Sequence, residues 1–500
     1  MAAHSAENAA GPCTYRSRGM NITDPILFQC RHQPDAAALC VPGRETVSYA
    51  RLEKQINNVA RRAMALGLSR GKIVALSVAD MLVEATLILG LSRLGVVAVS
   101  LHSRKLPIPL RVDAILSDAK YSYAADARQL PVDFSWVMGD GKPIQDPRPA
   151  SRSFDDVCRI HLTSGTTGDA KAVAFTNRML FERIARHEFL FGNRLPACSR
   201  IFLNVGLATA FGFRFLLHGL WRGGTLFFPG DRLESTLQAF ERDGIQAMIS
   251  APYGLAKFLE FCGKSGSFQS RLDVIIAAGS YLSAALSEQA RARLCPNLIS
   301  AYGSTETNTI ATAPAQVIAG VPGAVGYVAP DVTVEILDGA GRQVPDGTEG
   351  IVRLRSPYSV SGYLGDAEET ATAFRDGWFY PGDVGRVTRD GLLIIAGREK
   401  EILNLGGAKL KPQSIEQALA SFPGVVEAAA FGVANGLGID EPWAAIVCRA
   451  KVDESELRAH CRRLLPGAHV PVRFVTVDAL PRNETGKLDR TRLVELAKLH

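Results

Sequence analysis

The chain has 500 residues, 47% apolar and 21% charged, ordinary globular usage that excludes wholesale disorder. Lysine and arginine outnumber the acids 56 to 50, and this excess of +6 is spread along the chain, too dilute for a nucleic-acid binder's basic footprint. Nine cysteines, with no C-x-x-C pair and no zinc-like Cys/His spacing, read as single residues of a reducing compartment, not as a disulfide scaffold.

In chain order, residues 1–22 are small and polar and read as a flexible tail without the apolar core of a secretory signal. Residues 49–66 place Leu52, Ile56, Val59, Ala60 and Ala63 on one helical face. Residues 72–78 form a short apolar strand, 82–94 a helix and 96–101 a second strand. Glu84 and Arg93 interrupt that apolar stretch, so no membrane span and a cytoplasmic location are expected. Strands are expected again at 157–162, 172–175, 245–250, 274–278 and 298–302, with a helix at 284–294 capped by Ser283. From residue 325 the pattern turns to short strands, and Asp390-Gly391 marks a hairpin. Beyond 398, strands at 425–433 and 443–448 precede a helix at 454–465 that stops at Gly467. This predicts an α/β protein with parallel-rich sheets and a β-rich segment in a large, multi-subdomain N-terminal part (23–397). A small α+β domain (398–500) follows.

Five short segments carry chemistry. Thr163-Ser164-Gly165-Thr166-Thr167-Gly168, followed by Lys171, combines backbone freedom, hydroxyl donors and one cation. A polyphosphate requires this set, although the spacing is not that of a Walker loop and a hydroxyl-rich turn fits equally well. Tyr302-Gly303-Ser304-Thr305-Glu306 follows a buried strand, at the end where α/β sheets bind ligands. Glu306 can hold Mg²⁺ there by one carboxylate; a helix start with Thr305 and Glu306 in its first turn is the alternative. Asp383, after Pro381-Gly382, suits two vicinal hydroxyls, although Pro-Gly-Asp is also a common turn. Arg398 sits at the expected domain boundary, and Lys487 lies in the loop Asn483-Glu484-Thr485-Gly486-Lys487, where taken alone it reads as a solvated surface residue.

The order LTSGTTGDAK, AYGSTE, GWFYPGD, GREKEI and NETGKL resembles that of the acyl-adenylate-forming (AMP-binding) superfamily, over residues 25–495. The resemblance implies a two-step ligase: ATP activates a carboxylic acid as its adenylate, and the thiol of coenzyme A then displaces AMP. It assigns the β and γ phosphates to residues 163–168 with Lys171, adenine to Gly279, Ser280 and Tyr302, and the α-phosphate to Thr305. Mg²⁺ goes to Glu306, the ribose to Asp383 and Arg398, and the bridge between carboxylate and α-phosphate to Lys487. Lys400 would be the hinge of a mobile C-terminal domain, and Gly407 would line the thiol's path. A carrier-protein phosphopantetheine is the other acceptor to weigh, and a catalytically idle scaffold the alternative of another class.

The chain departs from the usual pattern at Ala170, Ala172 and Ser414, and at Thr209, where many members carry histidine. The acyl pocket is expected from Thr209, Phe211, Gly212, Phe213 and Ala301, residues that suit an apolar fatty or aryl acid. Arg214 either reads a second carboxylate or is a surface or internally paired arginine.

Overall fold

The computed structural model describes residues 20–101, 108–120, 127–138, 153–164, 170–195, 199–264, 268, 270–401, 403–405, 408–434, 440–483 and 486–497. The helix Tyr49–Ala65 begins where Ser48 accepts a hydrogen bond from the Arg51 N–H, and its five expected apolar positions are all buried. Asp80 caps Met81–Arg93 in the same way, and that helix is buried over nearly its whole circumference.

Two sheets build the large N-terminal part. In the first, Arg128–Pro131, Ala114–Ser117, Ile73–Ser77, Val97–Ser100 and Val157–Ser164 run parallel, and Ala170–Thr176 turns back antiparallel at the edge. The second has fifteen strands among the described residues. One half is a parallel run of Ala37–Val41, Thr225–Phe227, Arg200–Asn204, Ala247–Ser250, Val274–Ala278 and Leu298–Ser304. Such strands are covered on both faces, which is why they read as continuous apolar runs. The other half is antiparallel from Asn308–Pro314 onward. Asp383–Val387 and Leu392–Arg398 pair as the hairpin that Asp390-Gly391 announced.

After residue 403 the chain forms its own small structure. Val425–Ala434, Asp440–Cys448 and Arg473–Thr476 make a three-stranded sheet, packed with Pro412–Ala420 and Glu454–Leu464 around Ile415, Leu419, Leu457 and Cys461. The helix expected to reach residue 465 and stop at Gly467 ends at Leu464. Leu465 is extended because the ring of Pro466 disfavours helical backbone before it. Gly467 instead opens a 3-10 turn, Gly467–His469. Among the described residues seven cysteines are free, six of them buried, and no helix is long and apolar enough to cross a membrane.

Candidate active site

The strands Val157–Ser164 and Ala170–Thr176 form a hairpin that aligns Thr163 with Lys171 and Ser164 with Ala170. Gly165, Thr166, Thr167 and Gly168 lie outside the described residues. Lys171 pairs with Glu369, and its ammonium lies 5.0 Å from the centre of the Tyr363 ring. Glu369 stands in the first turn of Ala367–Ala373, where its N–H caps onto Asp366 at 2.9 Å.

Tyr302 to Glu306 does not start a helix. The strand Leu298–Ser304 runs into a tight turn and returns antiparallel as Asn308–Pro314, with a register shift after Tyr302. Gly303 is required, because any side chain there would collide with the Asn308 carbonyl. The turn buries the Glu306 carboxylate, whose Oε1 accepts a hydrogen bond from the Tyr363 hydroxyl at 3.0 Å.

Arg183, fully buried in the helix Asn177–Phe191, fixes this turn. Its guanidinium donates to the carbonyls of Thr305 at 2.8 Å, Glu306 at 2.9 Å, and Tyr358 at 2.6 and 3.1 Å. Burial, then the nearby Arg214, lowers its pKa well below the arginine range, against the pull of Glu306. Sequence reading missed Arg183, Tyr363 and Glu369. The available signal was the spacing of Arg183, Arg186 and His187, which sets three basic residues on one helical face.

Asp383 and Arg398 face each other across their hairpin, with Arg398 Nε 3.0 Å from Asp383 Oδ1. The Tyr302 hydroxyl donates to Asp383 Oδ2. Burial raises the Asp383 pKa despite the opposing Arg398 charge and Tyr302 bond. Burial and the Asp383 charge together push the Tyr302 phenol well above its usual range. The side chain that frames adenine in the expected scheme is thereby tied to the carboxylate expected at the ribose.

Lys487 enters from the C-terminal part. Asn483 holds its backbone, accepting from the Lys487 N–H at 2.9 Å and donating to the Lys487 carbonyl at 2.7 Å. The loop is docked on Tyr253, over whose ring Arg482 stacks at 4.8 Å. Lys487 keeps solvent access, yet protein crowds it, and burial followed by the Arg398 charge lowers its pKa; Glu306 and Asp383 oppose this. Its ammonium therefore lies within electrostatic reach of the three charged residues expected at the phosphate and ribose. Lys400 falls in the 3-10 turn Glu399–Glu401 directly after Arg398, whereas Gly407 lies outside the described residues. Ser414 donates to the Lys411 carbonyl at 2.7 Å, a local helix-start contact.

One cavity of about 2740 Å³ joins these groups, lined by Thr163, Lys171, Gly279, Ser280, Tyr302, Thr305, Glu306, Asp383, Arg398 and Lys487. That exceeds the 300–1,000 Å³ usual for a single small ligand, leaving room for two substrates. Thr209, Phe211 and Ala301 line it too. Gly212 and Phe213 are corrections. Phe213 turns into the core beneath Arg159, whose guanidinium lies 5.0 Å from its ring centre. Gly212 faces the Gly206 carbonyl, where a side chain would collide. The helix Ala210–Trp221 starts at Thr209, which accepts from the Gly212 N–H at 3.0 Å. Its 100° step per residue sends 213 away from the face that carries 211 and 214 toward the cavity. Arg214 is no surface residue but a buried one on the cavity wall.

Among the described residues no group of three His, Cys, Asp or Glu side chains is set to hold a metal. The buried Glu306 carboxylate, partnered by the Tyr363 hydroxyl, suits a magnesium ion that keeps water and phosphate as its other ligands.

A two-part architecture, with the Thr163–Lys171 hairpin, a buried glutamate turn and a lysine from the C-terminal part on one cleft, is that of a nucleotide-dependent enzyme class. The AMP-binding enzyme family model matches residues 28–364 and the AMP-binding enzyme C-terminal domain model residues 414–487; the chain belongs to this family. It is similar to the fatty acid–acyl-carrier-protein ligase ScoC of Streptomyces coeruleorubidus (29% identity; 94% of this chain, 95% of that protein). The 2-succinylbenzoate–CoA ligase of Listeria monocytogenes is 25% identical over 95% of this chain and 99% of its own length. The chain spans about a fifth of the naringenin synthase of Pestalotiopsis fici, matching it at 27% identity over 95% of its own length and 19% of that protein's. Its fold is that of o-succinylbenzoate CoA synthetase from Bacillus subtilis, solved with an acyl-adenylate intermediate (TM-score 0.81, 21% identity, 94% and 97% of the two chains).

Proposed function

We propose that this chain is an AMP-forming acid–thiol ligase that activates an apolar-bodied carboxylic acid with ATP and passes the acyl group to coenzyme A. In the first step a carboxylate oxygen of the acid bonds to the α-phosphorus as the bond to pyrophosphate breaks. In the second the thiolate sulfur attacks the acyl carbon and AMP leaves. The observation that carries this reading is the convergence on one cavity of Lys171, Thr305, Glu306, Asp383, Arg398 and Lys487, drawn from segments far apart in sequence.

Two anions must approach in the first step, so rate comes from charge neutralisation and alignment rather than from proton transfer. Lys487 supplies a positive charge beside Glu306 and Asp383 from a loop able to leave with its own domain. Lys171 and the donors of residues 163–168 would take the β and γ phosphates, exchanging Glu369 for phosphate oxygen. Thr305 would take the α-phosphate, Gly279, Ser280 and Tyr302 the adenine, and Asp383 with Arg398 the ribose hydroxyls. Glu306 would hold magnesium, which spreads the phosphate charge when bound. Domains of 23–397 and 398–500, after a tail of 1–22, are proposed as the moving units, with Lys400 as hinge and Gly407 beside the thiol. A cytoplasmic site of action belongs to the same reading.

A carrier-protein phosphopantetheine is the second acceptor to test, favoured by the similarity to the Streptomyces ligase. Carboxylate-dependent ATP–pyrophosphate exchange over aliphatic and aryl acids, followed by CoA or phosphopantetheinylated carrier, tests the proposal. Exchange followed by CoA thioester is expected; no exchange with any acid would return the chain to a scaffold.

A further inference from the structure

Arg214 is 4% exposed and lines the cavity beside Phe211, Ala301 and Thr309. Its neighbours on the adjacent helix are compensated. Arg186 forms a two-pronged pair with Asp331 at 2.7 Å, and Arg183 spends its donors on three backbone carbonyls. Arg214 has no such anion: its guanidinium donates to the neutral Asn308 Oδ1 and pairs with no carboxylate among the described residues. Arg214 Nε finds no acceptor. A guanidinium can only donate, so the Asn308 amide must turn its oxygen to it and its NH₂ away, and that NH₂ also lacks an acceptor.

The Asn308 backbone is left-handed, with φ 69°, an uncommon conformation for a side-chain-bearing residue and a strain that persists where surrounding structure enforces it. The turn beginning at Glu306 thus fixes a buried amide against a buried cation on the acyl side of the cleft. Burial, aided by the Arg186 charge, lowers the Arg214 pKa to about 9, a measure of how poorly the protein alone compensates it. Buried cations persist when an opposite charge meets them, and the Asp331 carboxylate is already taken by Arg186.

We propose that Arg214, oriented by Asn308, reads a second anionic group on the acid, so that the substrate is an apolar-bodied dicarboxylic acid rather than a simple fatty or aryl monoacid. This rests on the acid-ligase reading above and narrows its substrate class. One carboxylate goes to the α-phosphorus and the other stays ionised at Arg214.

The test is exchange kinetics with matched acids: octanoate against octanedioate, and benzoate against benzene-1,4-dicarboxylate. The wild-type protein is expected to favour the diacid of at least one pair by about 10–100-fold in kcat/KM, carried by KM. In Arg214→Met and Arg214→Gln that ratio collapses toward one, and Arg214→Lys recovers part of it. A wild-type preference for the monoacid in both pairs overturns the proposal, and that result is decisive even if the variants fail to fold. Equal loss on both members of a pair, or a change confined to the KM for ATP, also overturns it by making Arg214 structural or nucleotide-directed. Absence of exchange with all four acids and a broader panel defeats the ligase reading itself, a distinguishable outcome.

Discussion

Replacing Arg183 by methionine removes the clamp on the Thr305–Glu306 turn while keeping most of its volume. The guanidinium makes four hydrogen bonds to three carbonyls. Glu306 keeps the Val360 N–H at 2.9 Å, so the Thr305 and Tyr358 carbonyls lose most. Each stranded carbonyl costs about 1–3 kcal/mol. Against that roughly 2–6 kcal/mol stands the relief of no longer burying a cation whose pKa is already depressed, so the net loss settles at about 2–4 kcal/mol. For a chain of this size that lowers the thermal midpoint by roughly 2–5 °C. Exchange activity should fall further than stability implies, because Glu306 and Thr305 lose their fixed backbone. Differential scanning fluorimetry alongside pyrophosphate exchange at a temperature where the variant is folded separates the two effects. Arg183→Lys should fall between, having charge without the fork. A methionine variant with an unchanged midpoint and unchanged kcat/KM would refute the clamp.

Three other expectations concern the two half-reactions. Lys487→Ala should cut adenylation by about 10²–10³, the loss typical of one electrostatic donor, while thiol transfer from pre-formed adenylate survives better; comparable loss in both would remove the assigned role. Lys400→Pro should depress thioester formation by about tenfold or more and adenylation less, and unimpaired thioester output would argue against domain alternation. The third is a pH effect. Lys487 has its pKa lowered by burial and Arg398, so its charge is present below that lowered value and is lost as pH rises through it. Adenylation should therefore fall on an alkaline limb that begins below the ordinary lysine range near 10.4. Whatever rate Lys487→Arg retains should lack that limb; a pH profile shared by wild type and the arginine variant would assign the titration elsewhere.

The local elements were legible because their signals are local. Ser48, Asp80 and Ser283 cap the helices they precede, and apolar runs became buried parallel strands. The helix end at Leu464 yielded to Pro466, whose effect on the residue before it outweighed the glycine beyond. The turn at Glu306 was open between a helix start and a strand end. Pairing with Asn308–Pro314 decided it, a contact that no periodicity in the segment encodes.

Sequence alone determined the chemical segments and their order, while the roles proposed for their charged residues rest on the family that this order resembles. The segments follow from turn chemistry and spacing, which act over a few residues. Tertiary structure decided which groups meet. Lys171 reaches Glu369 across 198 positions, Glu306 meets Tyr363 across 57, and Arg183 grips Thr305 across 122. It also sent Phe213 to the core and Arg214 to the cavity from neighbouring positions of one helix, because a single 100° step separates the two environments. Burying a guanidinium is tolerable only where the whole fold supplies its partners, and no stretch of sequence records who those partners are.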